Sequence, residues 1–257
     1  MHQQNPSKSS LPPTGTNTPQ YRGQVQNCDS GAISVIIPTL NAAHSLPTTL
    51  HVLTSEKPSG LSLQIVISDG GSTDTTQSVA ADHGCDFITA CKGRGQQLAA
   101  GARHARHEWL LFLHADTVLE RGWDSAIAAF IMHPESPDNA AVFQFRLNDQ
   151  SNAAHRLERL VHWRNRFLAL PYGDQGLLIH RQLYDEIGGF REIPLMEDVD
   201  IIRRLGRYRL ICFDVAAITD AQRYLVAGYS LRALRNAVCL LLYFLGLPPR
   251  LIKRLYD

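Results

Sequence analysis

Leu110-Leu111-Phe112-Leu113-His114-Ala115-Asp116-Thr117 is the stretch whose reading decides the fold. Its four apolar residues fit a buried strand, and the strand ends in two potential metal ligands, His114 and Asp116. Residues i and i+2 of an extended chain point to the same side, so both side chains can reach one ion at the strand's C-terminal edge. In open α/β sheets that edge is where ligands bind. A strand followed by an ordinary polar loop explains this stretch equally well when it is taken alone. Two earlier apolar runs that end in the same way shift the balance.

The first of these, at 33–37, is short and β-branched and is stopped by Pro38, which predicts a buried strand leading into Pro38-Thr39-Leu40-Asn41. A helix is expected over about 43–55. The second run, at 63–67, ends in Ser68-Asp69-Gly70-Gly71-Ser72-Thr73-Asp74. The helix after it is expected to be capped by Ser72 or Thr73, with Asp74 in its first turn. A short strand at 86–89, an Ala- and Gln-rich helix at 95–106 and a strand at 109–113 follow. Strands that alternate with helices predict βαβ units and a largely parallel sheet with helices on both faces. Beyond Trp123 the pattern becomes mixed, with a helix at 124–132, a strand at 140–147, a long amphipathic helix at 152–168, a short strand at 177–179 and a helix at 196–205. No internal repeat is present.

With 257 residues, 44% hydrophobic and 19% charged, the chain is expected to form one globular domain from residue 31 onward. Residues 1–30 are rich in Gln, Asn, Ser, Thr and Pro and read as a disordered polar tail without the pattern of a secretory signal. A net charge of +1 predicts no global attraction to nucleic acid. Five scattered cysteines without a C-x-x-C pair argue against a disulfide framework or structural zinc, and suggest a reducing, cytoplasmic setting. The most apolar segment, 237–247, extends only about 16 Å as a helix against roughly 30 Å of bilayer hydrocarbon, so it does not span. Either it docks on the sheet, the more frequent cause of such runs, or it makes a peripheral contact at the inner face of the membrane beside Arg232, Arg235, Arg250, Lys253 and Arg254.

Thr39 and Asn41, Asp69, and His114 with Asp116 each follow a predicted strand, and parallel neighbours would gather them into one crevice. Asp69 suits a base N–H, with Gly70 and Gly71 letting the backbone approach a flat ring; an ordinary Asp-Gly turn is the alternative. Asp116 suits Mg²⁺ or Mn²⁺, and His114 tilts the choice toward Mn²⁺. Two protein ligands do not close a metal shell, so diphosphate oxygens and water would complete it. In Lys92-Gly93-Arg94-Gly95-Gln96-Gln97 a cation at a helix start suits a phosphate, although a solvated turn also fits and no P-loop or dinucleotide fingerprint is present. Glu197 and Asp198, in Pro194-Leu195-Met196-Glu197-Asp198-Val199-Asp200, are candidates for a base that takes a proton from an incoming hydroxyl. Acidic residues in a first helical turn are also common for dipole reasons. Gly173-Asp174-Gln175-Gly176 is either an ordinary turn or a loop that contacts an acceptor.

Val35-Ile36-Ile37-Pro38-Thr39-Leu40-Asn41, Asp69-Gly70-Gly71-Ser72-Thr73-Asp74, His114-Ala115-Asp116, Gly188-Gly189-Phe190 and Glu197-Asp198, in this order, resemble family 2 glycosyltransferases. The Gly-Arg-Gly helix start, His-Ala-Asp, Gly-Asp-Gln-Gly and a Leu-Tyr-x-Leu-Gly tail are similar to a subgroup assigned to arsenosugar biosynthesis. The resemblance implies an α/β, GT-A fold (the Rossmann-like nucleotide-diphospho-sugar transferase fold) with a mostly parallel central sheet flanked by helices, and with C-terminal helices. It divides the domain into a nucleotide-binding half at about 31–120, an acceptor and catalytic half at about 121–220 and a helical tail at about 221–257. It implies inverting transfer from a nucleotide-sugar, with a UDP-sugar favoured, to an unknown hydroxyl acceptor, with a divalent metal, Mn²⁺ or Mg²⁺. Pro38, Thr39, Asn41, Asp69, Arg94, Gln97, Ala115 and Asp116 would contact the donor. Asp116 and His114 would hold the metal, and Asp198 with Glu197 would supply the base. Asp174, Gln175 and Arg223, the last in Asp220-Ala221-Gln222-Arg223-Tyr224, would meet the acceptor or the diphosphate. Two departures stand out: the usual Asp-x-Asp is His114-x-Asp116, and the second aspartate after strand two is Gly70. A nucleotidyltransferase would need a Gly-rich, Lys-containing loop after the first strand, which Pro38-Thr39-Leu40-Asn41 lacks. A non-catalytic nucleotide-sugar-binding or membrane-associated adaptor would have no use for the Glu197-Asp198 pair.

Overall fold

The computed structural model describes residues 31–55, 60–168, 170–171 and 173–256; the polar tail expected at 1–30 lies outside them. In chain order the strands are β1 (Ala32–Thr39), β2 (Ser62–Asp69), β3 (Asp86–Thr89), β4 (Trp109–Phe112), β5 (Thr117–Leu119), β6 (Ala140–Leu147), β7 (Leu177–His180) and β8 (Leu210–Thr219). The helices are α1 (Leu46–Ser55), α2 (Thr76–Asp82), α3 (Arg94–His104), α4 (Trp123–Ile131), α5 (Asn152–Leu168), α6 (Arg181–Glu186), α7 (Glu197–Leu205), α8 (Gln222–Ala227), α9 (Tyr229–Phe244) and α10 (Pro249–Tyr256). The strands form one sheet in the order β3-β2-β1-β4-β7-β6-β8-β5. β1 pairs in parallel with β2 and β4, and β2 with β3, through the crossovers that the alternating pattern predicts. Past β4 the sheet is mixed: β7 runs antiparallel to β4 and β6, β8 runs parallel to β6, and β5 closes the edge antiparallel to β8.

β1 continues through Pro38, where the sequence reading stops it. The Ile36 carbonyl accepts the Leu113 N–H at 3.0 Å, so Pro38, two residues on, faces the same side of β1. β4 pairs with β1 only as far as Ile36, and no ladder there requires the N–H that proline lacks. The capping expectation for α2 also fails. Neither Ser72 nor Thr73 caps that helix; its N-cap is Thr75, which makes no side-chain cap bond. Asp74 stands just before the helix and accepts the Thr76 N–H at 3.1 Å and the Ala43 N–H at 3.0 Å, tying the loop after β1 to the start of α2.

Side chains alternate across the sheet as a period of two requires. Ile33, Val35, Ile37 and Leu111 enter one core with Trp123, Phe130, Phe143 and Phe213. Ile36, Leu110 and Phe112 enter the other with residues of α3, α7 and α9. The C-terminal apolar segment belongs to this second layer. One face of α9 docks there: Cys239 is buried, the Tyr243 hydroxyl donates to Asp200 Oδ1 at 3.2 Å, and the Arg203 guanidinium lies 4.9 Å from the Phe244 ring centre. Among the described residues no helix is long and apolar enough to cross a membrane.

α3 crosses β1 so closely that a Cβ on Gly101 would meet Ile36 Cγ2 at 2.3 Å. Gly101→Ala must therefore shift the helix or displace a fully buried isoleucine, at a cost of about 1–3 kcal/mol. Urea unfolding should show a lower midpoint; an unchanged one would contradict this close approach.

Candidate active site

The parallel register sets Thr39 beside Asp69, and Thr39 Oγ1 donates to Asp69 Oδ1 at 2.8 Å. Ser72 Oγ donates to the same oxygen, and the Gly71 and Ser72 N–H groups donate to Oδ2 at 2.9 and 2.7 Å. A carboxylate has about four acceptor positions, and here the chain itself fills them. Burial works to raise the Asp69 pKa, but the hydrogen bonds from Ser72, Thr39 and Gly71 outweigh it and hold the carboxyl below its ordinary value. Asp69 therefore shapes the 70–72 loop, and a base N–H would have to share an oxygen already in use. Asn41, in the left-handed region at φ 53°, accepts the Thr73 N–H through its side chain at 2.8 Å and joins the same loops.

Gln97, expected at the donor, is turned inward. Its Nε2 donates to the Thr39 carbonyl at 2.6 Å and to the Ser68 carbonyl at 3.0 Å. A Cβ on Gly70 would meet this amide at 3.1 Å, so the position where the resemblance expects an aspartate is narrowed by Gln97.

His114-Ala115-Asp116 forms the turn from β4 to β5. The Ala115 carbonyl accepts from Thr49 Oγ1 at 3.0 Å, and the Asp116 carbonyl accepts the Asp220 N–H at 3.1 Å. Gly173 opens the 3-10 turn Gly173–Gln175 and lies between two of the expected site residues. A Cβ there would be 2.7 Å from His114 Nε2 and 3.6 Å from Asp198 Cβ, and the Gly173 N–H donates to Asp198 Oδ2 at 2.9 Å. Any larger residue would have to displace the His114 ring. The contact joins the β4–β5 turn, the 3-10 turn and the start of α7.

These elements wall a solvent-open cleft of about 830 Å³ lined by His114, Asp116, Asp174, Asp198, Glu197 and Arg94. The three acids opening α7 have three different surroundings. Glu197 is 2% exposed and pairs with Arg94 Nη1 at 3.2 Å. Burial raises its pKa, Arg94 pulls it back and the Asp198 charge pushes it up again, leaving it above the ordinary value. Asp198 borders the cleft. Asp200 is packing: it accepts from Arg204, Arg191 and the Tyr243 hydroxyl. For Arg94, burial opposes the charge, but Glu197, Asp198 and Asp116 outweigh it and keep the guanidinium ionised. The flanking glycines have a backbone reason: Gly93 sits at φ 147°, and a Cβ on Gly95 would lie 2.3 Å from the Arg191 carbonyl oxygen.

Asp174 points a buried Oδ1 that has no hydrogen-bond partner among the described residues. Burial raises its pKa to about 6, with Arg164 opposing the rise and Asp198 and Asp116 adding to it. Gln175, expected at the acceptor, is fully buried instead: its Nε2 donates to the Phe143 carbonyl at 2.9 Å and its Oε1 accepts from Asn165 Nδ2 at 2.8 Å. Phe143 lies at the register shift between β6 and β8, so Gln175 fastens the turn to that irregularity. The Arg223 side chain lies outside the described residues.

Among the described residues no group of three or more His, Cys, Asp or Glu is placed to hold a metal unaided. The shared cleft of His114, Asp116 and the unpartnered Asp174 oxygen fits a cation whose shell is completed by a ligand's phosphate oxygens, and does not fit a closed protein site. The far wall of the cleft comes from Tyr224, Arg232, Asn236 and Tyr256 of the C-terminal helices. Tyr224 lies in the 220–224 stretch and Arg232 among the C-terminal cations, and no local pattern marks them, Asn236 or Tyr256 as cleft residues.

The family profile for glycosyl transferase family 2 matches residues 34–193. The chain is 29% identical over 218 residues to a PGL/p-HBAD biosynthesis glycosyltransferase of Mycobacterium bovis, covering 77% of this chain and 76% of that protein. Its fold is similar to that of S. aureus TarS 1–349 in complex with UDP-GlcNAc, with a TM-score of 0.57 and 17% identity over 74% of this chain. The chain spans only 58% of that TarS structure. Glucosyl-3-phosphoglycerate synthase from Mycobacterium tuberculosis, in complex with Mn²⁺, UDP and glucosyl-3-phosphoglycerate, matches with a TM-score of 0.55 and 17% identity, covering 84% of this chain and 81% of that one. At such identities these structures carry the fold alone, a GT-A, Rossmann-like fold with a mixed, mostly parallel sheet. The profile covers more than half of the chain and begins within β1, and the chain belongs to glycosyl transferase family 2.

Proposed function

We propose that the protein is a metal-dependent, inverting glycosyltransferase that moves a sugar from a nucleotide-diphosphate sugar, with a UDP-sugar favoured, to an acceptor hydroxyl. The observation that carries this reading is the Asp198 carboxylate at the cleft wall, held by the Gly173 N–H beside His114 and sharing the cleft with Asp116. In a single displacement Asp198 takes the proton of the acceptor hydroxyl. Asp116 and His114 would hold Mn²⁺ or Mg²⁺, which when bound neutralises charge on the leaving diphosphate. Arg94, kept ionised by Glu197, adds a fixed positive charge facing the same diphosphate. Pro38, Thr39 and Asn41 line the approach to the base, and Gly71 adds backbone with open space above it. Asp174 and Arg223 are assigned to the acceptor or the diphosphate. Gly93-Arg94-Gly95, His114-Ala115-Asp116, Gly173-Asp174-Gln175-Gly176 and Leu242-Tyr243-Phe244-Leu245-Gly246 support placement in the arsenosugar subgroup. The scattered cysteines support a cytoplasmic setting.

Asp198→Asn should lower release of nucleoside diphosphate from the sugar donor about 10²- to 10⁴-fold while leaving nucleotide affinity unchanged. Unimpaired turnover would move the base elsewhere. A wild-type protein that binds donors and turns none over would favour the non-catalytic adaptor. Outer-shell partners of metal ligands are worth about 10- to 100-fold, so Asp116→Ala should weaken metal-dependent nucleotide binding at least about tenfold. Equal affinity with and without Asp116 would remove it from the metal site.

The folded-state pKa of Asp174, about 6, lies above the ordinary 3.8, so the folded state holds this proton more tightly than the unfolded state does. The contribution of Asp174 to stability therefore falls as pH rises from 3.8 to about 6 and remains lower above that. Asp174→Asn should be more stable than the wild type at neutral pH and no different well below pH 3.8, read as urea midpoints across pH. A wild-type advantage at neutral pH would contradict the burial of this charge.

A further inference from the structure

We propose that the outer face of α9 and α10 docks on an anionic lipid bilayer. Leu231, Leu234, Val238, Leu241 and Leu245 recur at intervals of three and four, which places them in one row along α9 and its C-cap. All five are exposed, from 45% at Val238 to 74% at Leu245. The opposite face of the helix carries Cys239 and Tyr243, which dock on the body of the protein. α10, which packs on α9, carries two further exposed leucines, Leu251 and Leu255, one turn apart.

Charge identifies the occupant. Arg250, Lys253 and Arg254 are exposed on α10 and are in no ion pair among the described residues. Residues 221–257 hold six basic side chains and one acidic, Asp257, whereas residues 1–220 hold 19 basic and 23 acidic. An apolar row flanked by unneutralised cations matches acyl chains beneath anionic headgroups. At 16 residues α9 is about 24 Å long, suited to lying in the interface and too short to cross it. A second copy of the chain fits less well, because a two-fold contact through this face would bring the same three cations toward their own copies. The row is separate from the transfer chemistry: the cleft takes Arg232, Asn236 and Tyr256 from these helices, and none of the outer leucines.

The test is sedimentation of the full chain with vesicles of phosphatidylcholine alone and of phosphatidylcholine mixed with phosphatidylglycerol. The wild type should pellet with the anionic vesicles and not with the neutral ones. The triple variant Arg250→Ala, Lys253→Ala, Arg254→Ala should bind at least about tenfold more weakly. Leu234→Asp with Leu241→Asp should abolish binding while circular dichroism and melting temperature stay unchanged, since both leucines are exposed. Wild-type protein that stays in the supernatant, or leucine variants that bind as well as the wild type, would overturn the proposal. So would light scattering that shows a dimer dissolved by the leucine substitutions, without vesicle binding; the face would then join copies of the chain.

Discussion

Where parallel strands end, backbone groups lose their ladder partners, and buried groups left unpaired are costly. That constraint governs the edge formed by β1, β2 and β4. The Thr39 carbonyl takes the Gly70 N–H and the Gln97 amide, and the Ser68 carbonyl takes the same amide. The Gly71 and Ser72 N–H groups find the Asp69 carboxylate. The carbonyls of Ala115 and Asp116 find Thr49 and Asp220. The loops that close the strand ends are thus held by side chains from α1, α3 and the strands themselves. This leaves His114, Asp116 and Asp198 at the rim of the cleft, and several residues that a motif reading assigns to a ligand are instead partners of the backbone.

Electrostatics imposes a second requirement. Burying a carboxylate is tolerable only with a partner or a proton, and the cleft uses both solutions. Glu197 is buried against Arg94, which the surrounding carboxylates keep charged. The half-buried Asp174 has a buried Oδ1 without a hydrogen bond among the described residues, and its pKa is raised to about 6. A bound cation or a protonated state satisfies it. The concentration of Asp116, Asp174, Glu197 and Asp198 beside Arg94, with Arg232 on the far wall and Arg164 acting on Asp174, therefore costs stability in the absence of ligand, a pattern expected at functional sites. The glycines at 95 and 173 serve this arrangement, since each lets backbone come where a Cβ would collide.

Much of this was legible in the sequence. The β-branched run at 33–37, the strand at 140–147 and the amphipathic stretch at 152–168 each carry a local signal, and each became the expected element. The strand-end positions of Thr39, Asp69 and His114 followed from the apolar runs at 33–37, 63–67 and 109–113. β8 did not, because its pattern is interrupted by Asp214 and two alanines and its burial does not alternate. β5 and α6, at three and six residues, are too short for a period to show. In the sequence Gln97 and Gln175 look like ligand contacts because a polar residue beside a motif resembles one. Their partners, the Thr39 and Phe143 carbonyls, lie 58 and 32 residues away and are set by tertiary packing. The C-terminal wall of the cleft is distant in the same way.

The central claim is that one cleft, rimmed by His114 and Asp116, takes a nucleoside diphosphate together with a divalent cation. Calorimetric titration of UDP, GDP and dTDP into the full chain, with Mn²⁺ and then with chelator, tests it most directly. Binding of one diphosphate that requires the metal is the predicted result. Equal binding with metal and with chelator, or binding of none of the three, would contradict it.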